Sequence, residues 1–287
     1  MTVIEATPRG QARRPFAVEA PRQGVRGSAE RLREVLESRE LLIFLAWRDL
    51  TVRYKQSAIG VLWAVVQPLL LAGAFTLFFG NLAGLAHGNT SYALATFVAL
   101  LPWQLVASGV FTASESVVRG QDLVKRVYFP RILIPLAPMA VALVDFCAAL
   151  AVALIWLVVA GPSFTLAIVW LPAFLLLAVV TATGVGCLLA ALNVRFRDVQ
   201  LAIPLLVQLW LFCTPVAYPS SVVPGPWRTA FAINPMVTAV DGFRAALLGE
   251  PHLHLPAVAV SVTVAVVLAV VGVGFFWRTE DTIADVI

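Results

Sequence analysis

Long uncharged stretches alternate with short charged ones along this chain. The first stretch, Ala58 to Gly80, contains 23 residues without a charge. A helix rises about 1.5 Å per residue, so a stretch of this length crosses a hydrocarbon layer of about 30 Å with some tilt. Five further apolar stretches follow, at about 92–114, 132–159, 167–192, 199–217 and 255–277. The pattern therefore predicts an all-α integral membrane protein with six transmembrane helices.

A charged segment precedes the first predicted span. In a helix of residues 38–57 the apolar side chains share one face: Ile43, Trp47, Leu50 and Tyr54. The charged side chains flank that face: Arg48 and Lys55 on one side, Asp49 and Arg53 on the other. This arrangement is typical of a helix that lies in the bilayer surface. We therefore predict an amphipathic interface helix at 38–57, preceded by a partly disordered cytoplasmic tail at 1–37.

The segment between the fifth and sixth spans has an intermediate composition. Residues 218–250 contain too many polar, proline and glycine residues to cross a membrane simply, yet they are too apolar for an ordinary loop. Two short re-entrant helices, joined near Asn234 and Pro235, would satisfy both properties because they dip into the membrane and return. The sequence thus also predicts a transmembrane domain at 58–277 and a second cytoplasmic tail at 278–287.

Composition and charge exclude several classes of protein. Hydrophobic residues make up 60% of the chain and charged residues 13%, which excludes a water-soluble globular protein. Eleven of the twenty Lys and Arg residues precede Ala58. Basic residues beside a span mark its cytoplasmic side and attract anionic lipid, so we expect membrane lipids rather than nucleic acid as partners.

The distribution of basic residues also predicts the orientation of the chain. With both termini in the cytoplasm, eleven basic residues adjoin spans on the inside, whereas only Arg228 and Arg244 lie outside. The segment from Glu115 to Arg131 carries four of the inner residues. We therefore expect a multi-pass protein with this segment and both termini in the cytoplasm.

Motifs of enzymes and metal sites are absent from the sequence. There is no Gly-x-x-x-x-Gly-Lys-Ser/Thr loop for ATP, no HExxH or GxSxG motif, and no inward-facing pair of carboxylates. The three cysteines lack metal-ligand spacing, and His252 and His254 lack a third ligand. We therefore expect no enzymatic activity, no metal site and no bound cofactor in this chain.

Asp145 is the one ionisable residue deep inside a predicted span. A charge in the membrane is energetically costly, which makes this residue a candidate for function. A proton-coupled carrier would use Asp145 at the centre of its mechanism, although no His, Lys or Glu accompanies it within the spans. The alternative is a structural hydrogen bond to a neighbouring helix or to a partner subunit.

The residues that lead into the first span follow a specific pattern. They read Trp47-x-Asp49-Leu50, Arg53-Tyr54-Lys55-Gln56-Ser57, Gly60-x-x-Trp63 and Gln67-Pro68. This segment resembles the corresponding part of polysaccharide-exporting ATP-binding-cassette permeases, the type-2 exporter membrane subunits of O-antigen, capsule, teichoic-acid and galactan systems. The resemblance covers roughly residues 38–287.

The resemblance implies a permease of the bacterial inner membrane that forms a homodimer with two ATPase subunits docked beneath it. ATP and magnesium would be bound by those partners. The substrate would be a polyprenyl-diphosphate-linked polysaccharide.

The resemblance also implies roles for particular residues. The loop at 115–131 would form a short coupling helix that seats in a groove of the ATPase. The coupling residues are Gln121, Asp122, Leu123, Val124, Lys125 and Arg126. The lipid-linked substrate would enter beside the interface helix, where cationic side chains suit a diphosphate. This second group comprises Trp47, Arg48, Arg53, Tyr54 and Lys55.

Aromatic residues are the candidates for the polysaccharide path. A sugar ring packs its C–H face on an aromatic ring, and the resemblance places the path between the first and fifth spans of two subunits. The candidate channel-lining residues are Phe75, Phe78, Phe79, Trp210, Phe212 and Tyr218. The candidate outer gate comprises Asn234, Pro235, Phe243 and Arg244. The alternative role of each aromatic residue is packing or membership of an interfacial belt.

Two other functions remain compatible with the sequence. An exporter of a drug or small lipid with the same fold would share the coupling loop but would need no long aromatic path. A proton-coupled secondary transporter would need no ATPase and would depend on Asp145. The favoured prediction is the polysaccharide-export permease.

Overall fold

The computed structural model describes residues 28–55, 60–82, 92–121, 123, 129–161, 166–196, 198–249 and 254–286. Two short helices come first, α1 (Ser28–Glu37), which lies within the predicted tail, and α2 (Arg39–Lys55), and Ser38 joins them. The other α-helices are α3 (Trp63–Phe75), α4 (Tyr92–Arg119), α5 (Leu133–Ala160), α6 (Leu171–Arg195), α7 (Asp198–Phe212), α8 (Gly225–Phe231), α9 (Pro235–Leu248) and α10 (Leu255–Val286). The predicted disordered residues before Ser28 lie outside the described part.

Five helical segments in these ranges are long and apolar enough to cross a membrane. They are Gly60–Asn81, which contains α3, Tyr92–Arg119, Leu133–Ala160, Leu166–Arg195 and Leu255–Glu280. The predicted fifth span corresponds to α7, which is apolar but has only 15 residues, or about 22 Å of helix. The described chain is therefore an all-helical, multi-pass membrane protein with five full-length apolar helices and one shorter apolar helix.

α4 is the central helix of the bundle. In its most apolar window 72% of the residues are buried inside the protein, against 17% for the first and last long helices. Phe97, Leu101, Val106 and Val110 of α4 are each no more than 1% exposed. They pack among α5 and α6, and in a bilayer such close packing is a main source of helix association.

α6 and α10 cross in direct backbone contact. A Cβ atom added at Gly272 would lie 1.9 Å from the carbonyl oxygen of Gly184. A Cβ atom added at Gly184 would lie 2.6 Å from the backbone nitrogen of Ala269. Small residues permit this approach in membrane helices, so the two glycines fix the last helix against the rest of the bundle.

One end of the bundle gathers most of the short charged segments, and we call it the basic end. It comprises α1, α2, the described residues of 119–132 and of 193–198, and the end of α10. A separate hydrophobic cluster, the basic-end cluster, holds these segments together. Its buried residues include Leu45, Phe129, Ile132, Leu133 and Phe276.

The structure corrects the predicted ends and faces of several helices. α10 continues to Val286, whereas the sequence predicts a tail from residue 278. Contacts of Glu280 with α1 and with the start of α5 accompany this continuation. Pro102 does not interrupt α4. Pro68 does not interrupt α3, and it is buried.

The apolar face predicted for α2 is split between two environments. Ile43 is 66% exposed and Trp47 is 69% exposed, whereas Leu50 and Tyr54 are half-buried. Leu45, which the predicted face omits, is 2% exposed because it lies in the basic-end cluster. α2 thus packs along α5 and presents part of its apolar surface away from the protein.

Candidate functional site

A cleft of about 540 Å³ lies among α3, α4, α5 and α7. Its walls are mostly apolar, but three amide side chains from three helices line it: Gln67 of α3, Gln104 of α4 and Gln208 of α7. Two hydroxyl groups and two indole rings also face it: Ser108, Thr112, Trp63 and Trp103. The cleft thus offers uncharged hydrogen-bonding groups and aromatic surfaces within the apolar helices.

A charged cluster closes the cleft towards the basic end. The guanidinium of Arg53 lies 2.9 Å from the carboxylate of Asp145, measured from Nη2 to Oδ2. The Tyr54 hydroxyl donates a hydrogen bond to the other carboxylate oxygen. Arg53 Nη1 also donates to Ser108 Oγ at 3.5 Å. The end of α2 is therefore fastened to α4 and α5 by side chains that line the cleft.

The electrostatic state of Tyr54 follows from this cluster. Partial burial and the hydrogen bond to Asp145 raise the pKa of Tyr54 from 10.0 to about 12. Tyr54 therefore stays neutral at physiological pH, and its hydroxyl remains a hydrogen-bond donor to the carboxylate.

The pairing of Asp145 bears on its predicted structural role. Its side chain is 13% exposed and forms an ion pair with Arg53. The polar bond to a neighbouring helix that the structural role requires is present, with Arg53 and Tyr54 of α2 as its partners. Sequence reasoning missed the partner because it placed α2 in the membrane surface, away from the middle of α5.

The other residues predicted to receive the diphosphate also lie near the end of α2. Arg48 Nη2 is 2.8 Å from the carboxylate of Asp49. Trp47 and Lys55 are exposed. Arg48 and Arg53 also line a second cavity of about 460 Å³ between α2, α4 and α5, which borders the cleft. Both arginines already have carboxylate partners, so an anionic ligand would compete with Asp49 and Asp145.

The predicted coupling residues follow the end of α4. Gln121 is exposed, and Leu123 is half-buried against the basic-end cluster. The amide of Leu123 donates to the carbonyl of Gly120 at 3.0 Å. The remaining predicted residues, Asp122, Val124, Lys125 and Arg126, lie outside the described residues, as does the rest of the predicted coupling helix up to Tyr128.

None of the six predicted channel aromatics is among the residues that line the cleft. Phe75 and Phe79 pack edge to face with ring centroids 5.7 Å apart, while Phe78 and Phe212 are each 59% exposed. Trp210 packs edge-on against the cleft residue Trp103, with centroids 5.8 Å apart. The Tyr218 hydroxyl donates to the carbonyl of Phe212 at 3.2 Å.

The glutamines are the functional candidates that sequence reasoning missed. Gln67, Gln104 and Gln208 are amide side chains within otherwise apolar stretches. That property was a readable signal, since a hydrogen-bonding group in lipid needs a partner or a wet cavity. Only the packing of the helices shows that all three line one cleft.

Asn234 joins the predicted outer gate to the end of α7. Its Oδ1 accepts from the backbone amide of Met236 at 3.1 Å and from Trp210 Nε1 at 2.9 Å. Its Nδ2 donates to the carbonyl of Cys213 and to Thr214 Oγ1, each at 3.0 Å. Asn234 is thus the N-cap of α9 and a bridge between α7 and α9.

The other outer-gate residues are buried packing residues. Arg244 is 5% exposed and donates to the carbonyls of Val216 at 2.8 Å and Tyr218 at 3.1 Å. Phe243 is fully buried and packs edge to face on Phe146 of α5, with centroids 5.7 Å apart. Pro235, at the start of α9, is buried as well. Arg244 thus fixes the segment after α7 onto α9, and Phe243 packs α9 on α5.

Long apolar helices around a cleft with amide and indole side chains define a multi-pass membrane protein with a partly polar interior. Residues 40–248 match the family model described as ABC-2 type transporter, and the chain belongs to this family.

The chain is also similar to proteins named for polysaccharide export. It is 28% identical over 249 residues to the O-antigen export system permease protein RfbA of Klebsiella pneumoniae, which covers 86% of this chain and 95% of that protein. It is 30% identical over 236 residues to the protein of the same name from Myxococcus xanthus, and the match covers 79% of this chain and 90% of that protein. It is 24% identical over 233 residues to the capsule polysaccharide export inner-membrane protein CtrC of Neisseria meningitidis. That match covers 76% of this chain and 83% of that protein.

Proposed function

We propose that this chain is the membrane-spanning permease subunit of an ATP-driven exporter that moves a lipid-linked polysaccharide across the bacterial inner membrane. The cleft with its amide and indole side chains is the observation that carries the proposal. Glutamine side chains exchange hydrogen bonds with sugar hydroxyls, and indole rings pack on the C–H faces of sugars. The names of the similar permeases support this class of substrate.

The proposed topology has six spans with both termini in the cytoplasm. α7 counts as the fifth span because its contacts connect the two ends of the bundle. Gln200 near its start donates to Glu115 at the basic end, at 3.4 Å. Trp210 near its end donates to Asn234 at the opposite end, at 2.9 Å. The basic end then faces the cytoplasm, and α8 and α9 form the re-entrant outer segment.

The permease acts as a homodimer in this proposal. α3 and α7 flank the cleft and leave large apolar side chains exposed, among them Leu70, which is 66% exposed, and Leu205, which is 58% exposed. Two copies that face each other through these helices would join their clefts into one path for the polymer. The exposed aromatic residues Phe78 and Phe212 would then border that path.

Energy for transport comes from two ATPase subunits that bind ATP and magnesium, while the permease itself has no catalytic role. The ATPase would dock at residues 115–131, of whose predicted coupling residues the structure describes Gln121 and Leu123. The diphosphate of the lipid carrier would approach the end of α2. There it would displace the carboxylates of Asp49 and Asp145 and pair with Arg48 and Arg53 in their place.

A blocked cleft tests the proposal. Thr112→Trp places a large ring in the cleft, whereas Thr263→Trp places the same ring on the exposed side of α10. The two threonines are matched, because each hydroxyl donates to the carbonyl four residues earlier, at 2.6 Å and 2.8 Å respectively. In cells that rely on this permease, Thr112→Trp should abolish surface polysaccharide and accumulate lipid-linked glycan, while Thr263→Trp exports normally. Normal export by a folded Thr112→Trp variant would contradict the proposal.

A further inference from the structure

The end of α10 contacts both α1 and the residues that follow the coupling loop. Arg31 of α1 donates from Nη1 to the carbonyl of Trp277 at 2.9 Å, and its guanidinium lies 6.0 Å from the centroid of the Trp277 ring. The same nitrogen is 4.0 Å from Glu280 Oε2, and both charged side chains are largely buried, at 25% and 20% exposure. The first described helix is thus attached to the last one.

Glu280 also holds the start of α5. Its Oε1 accepts the backbone amide of Arg131 at 2.8 Å, and its backbone carbonyl accepts a hydrogen bond from the Arg131 guanidinium. The N-cap residue of α5, Ile132, makes no side-chain capping bond. A carboxylate that accepts a backbone amide at a helix N-terminus stabilises the helix. Arg131 lies one residue before the N-cap, so Glu280 fixes from α10 the turn that leads into α5.

The basic-end cluster lies beneath this junction. Phe129 and Ile132 come from the residues after the loop, Phe276 from α10 and Leu45 from α2, and all four are buried. α5 is held a second time by the ion pair of Asp145 with Arg53 of α2. Polar bonds and the basic-end cluster therefore connect the start of α5, the end of α10 and the α1–α2 pair.

We propose that Glu280 is a positioning residue that fixes the exit of the coupling loop to α1 and α10. A push on residues 115–131 would then move α5, α10 and the α1–α2 pair together, rather than the loop alone. This inference rests on the proposed function, because it assumes an ATPase that pushes on the loop. It assigns the end of the last helix to the coupling machinery.

Two measurements on Glu280→Ala test the inference, with Glu37→Ala as the matched control. Glu37 is also an acidic helix residue paired with an arginine, but its side chain is 62% exposed and its partner Arg33 is four residues away on α1. The first measurement is hydrogen exchange of the backbone amides of Phe129 and residues 131–134 in the purified full chain. The second measures polysaccharide export and ATP hydrolysis by the complex of this chain with its ATPase.

Glu280→Ala should speed exchange at residues 129–134 by about tenfold or more, because a hydrogen bond to a charged acceptor is lost. Export should fall by a similar factor while the assembled complex hydrolyses ATP at the wild-type rate. Glu280→Gln keeps an acceptor for the Arg131 amide without the charge, so it should give an intermediate exchange rate. This variant replaces Glu280→Ala in the test if the alanine variant does not fold. Glu37→Ala should change neither quantity.

Unchanged exchange would show that Glu280 does not hold the loop exit, and unchanged export would show that the junction does not contribute to coupling. Either result overturns the inference. If the wild-type complex exports no polysaccharide, the proposed function fails instead, and the exchange data still decide whether Glu280 positions residues 129–134.

Discussion

Asp145 and Arg53 balance each other's charge beside the cleft. The carboxylate side chain is 13% exposed and the guanidinium side chain 39%. An unpaired charge at that depth would be costly, so the two residues stabilise the structure as a pair rather than singly. Ser108 and Tyr54 complete the hydrogen bonding around them.

A double-mutant cycle measures this pair. Asp145→Asn and Arg53→Gln should each lower the free energy of unfolding in detergent. The double variant should lose less stability than the two single variants lose together. The expected coupling is about 1 kcal/mol, because solvent screens the partly exposed Arg53. The more exposed pair of Arg48 with Asp49 should show a smaller coupling and serves as control. Additive effects would mean that the ion pair does not form. A carrier driven by protonation of Asp145 would instead lose all transport in Asp145→Asn.

The raised pKa of Tyr54 gives a pH-dependent prediction. The folded protein holds the phenol proton more tightly than the unfolded chain, so the stabilisation is present below pH 10.0 and is lost as pH rises towards about 12. In a titration of tyrosinate absorbance, the difference between wild type and Tyr54→Phe should have its midpoint near 12. A midpoint near the ordinary value of about 10 would contradict burial beside Asp145.

At the scale of helices, the crossing of α6 and α10 depends on Gly184 and Gly272, because any side chain at either position would meet the other helix. Gly272→Ala should lower the free energy of unfolding by about 1–3 kcal/mol, because the new methyl group overlaps the backbone of Gly184. Gly274→Ala is the matched control on the same helix, since a Cβ atom there meets nothing within 4 Å. Equal thermal stability of the two variants in detergent would show that the helices do not touch at this point.

The helices also show how much the sequence could predict. Apolar length predicted the positions of the long helices, and the Asn-Pro pair predicted the joint between α8 and α9, because Asn caps a helix and Pro suits its first turn. The extent of α10 beyond residue 277 was not predictable in the same way. Glu280 in this extension is held by Arg31 and Arg131, which are remote in sequence, and no local pattern records those contacts.

At the scale of the whole molecule, the exposed sides of α3 and α7 carry the proposed dimer. α7 leaves Leu201, Leu205 and Leu209 more than half exposed, at 81%, 58% and 52%. A helix that packs so little on its own chain has room for a second copy or for lipid. The proposal selects the second copy, because α7 borders the open cleft.

Cross-linking in membranes distinguishes these two surroundings. After replacement of the exposed Cys147 and Cys213 by serine, Leu205→Cys should yield a covalent dimer with a short bifunctional thiol reagent. Ile155→Cys on α5, which is 64% exposed and does not line the cleft, should yield none. Dimers from both positions would indicate random collisions, and dimers from neither would leave α7 facing lipid.

The sequence by itself determined that this protein is a bundle of membrane-spanning helices, because long apolar stretches have no other stable state in a bilayer. Its residue pattern around Trp47 to Pro68 also predicted the transporter family. Only the tertiary structure decided which polar residues meet. Tyr54 and Asp145 are 91 positions apart, and the three cleft glutamines come from three helices. Such encounters depend on helix rotation and packing, which a pattern within one helix does not encode.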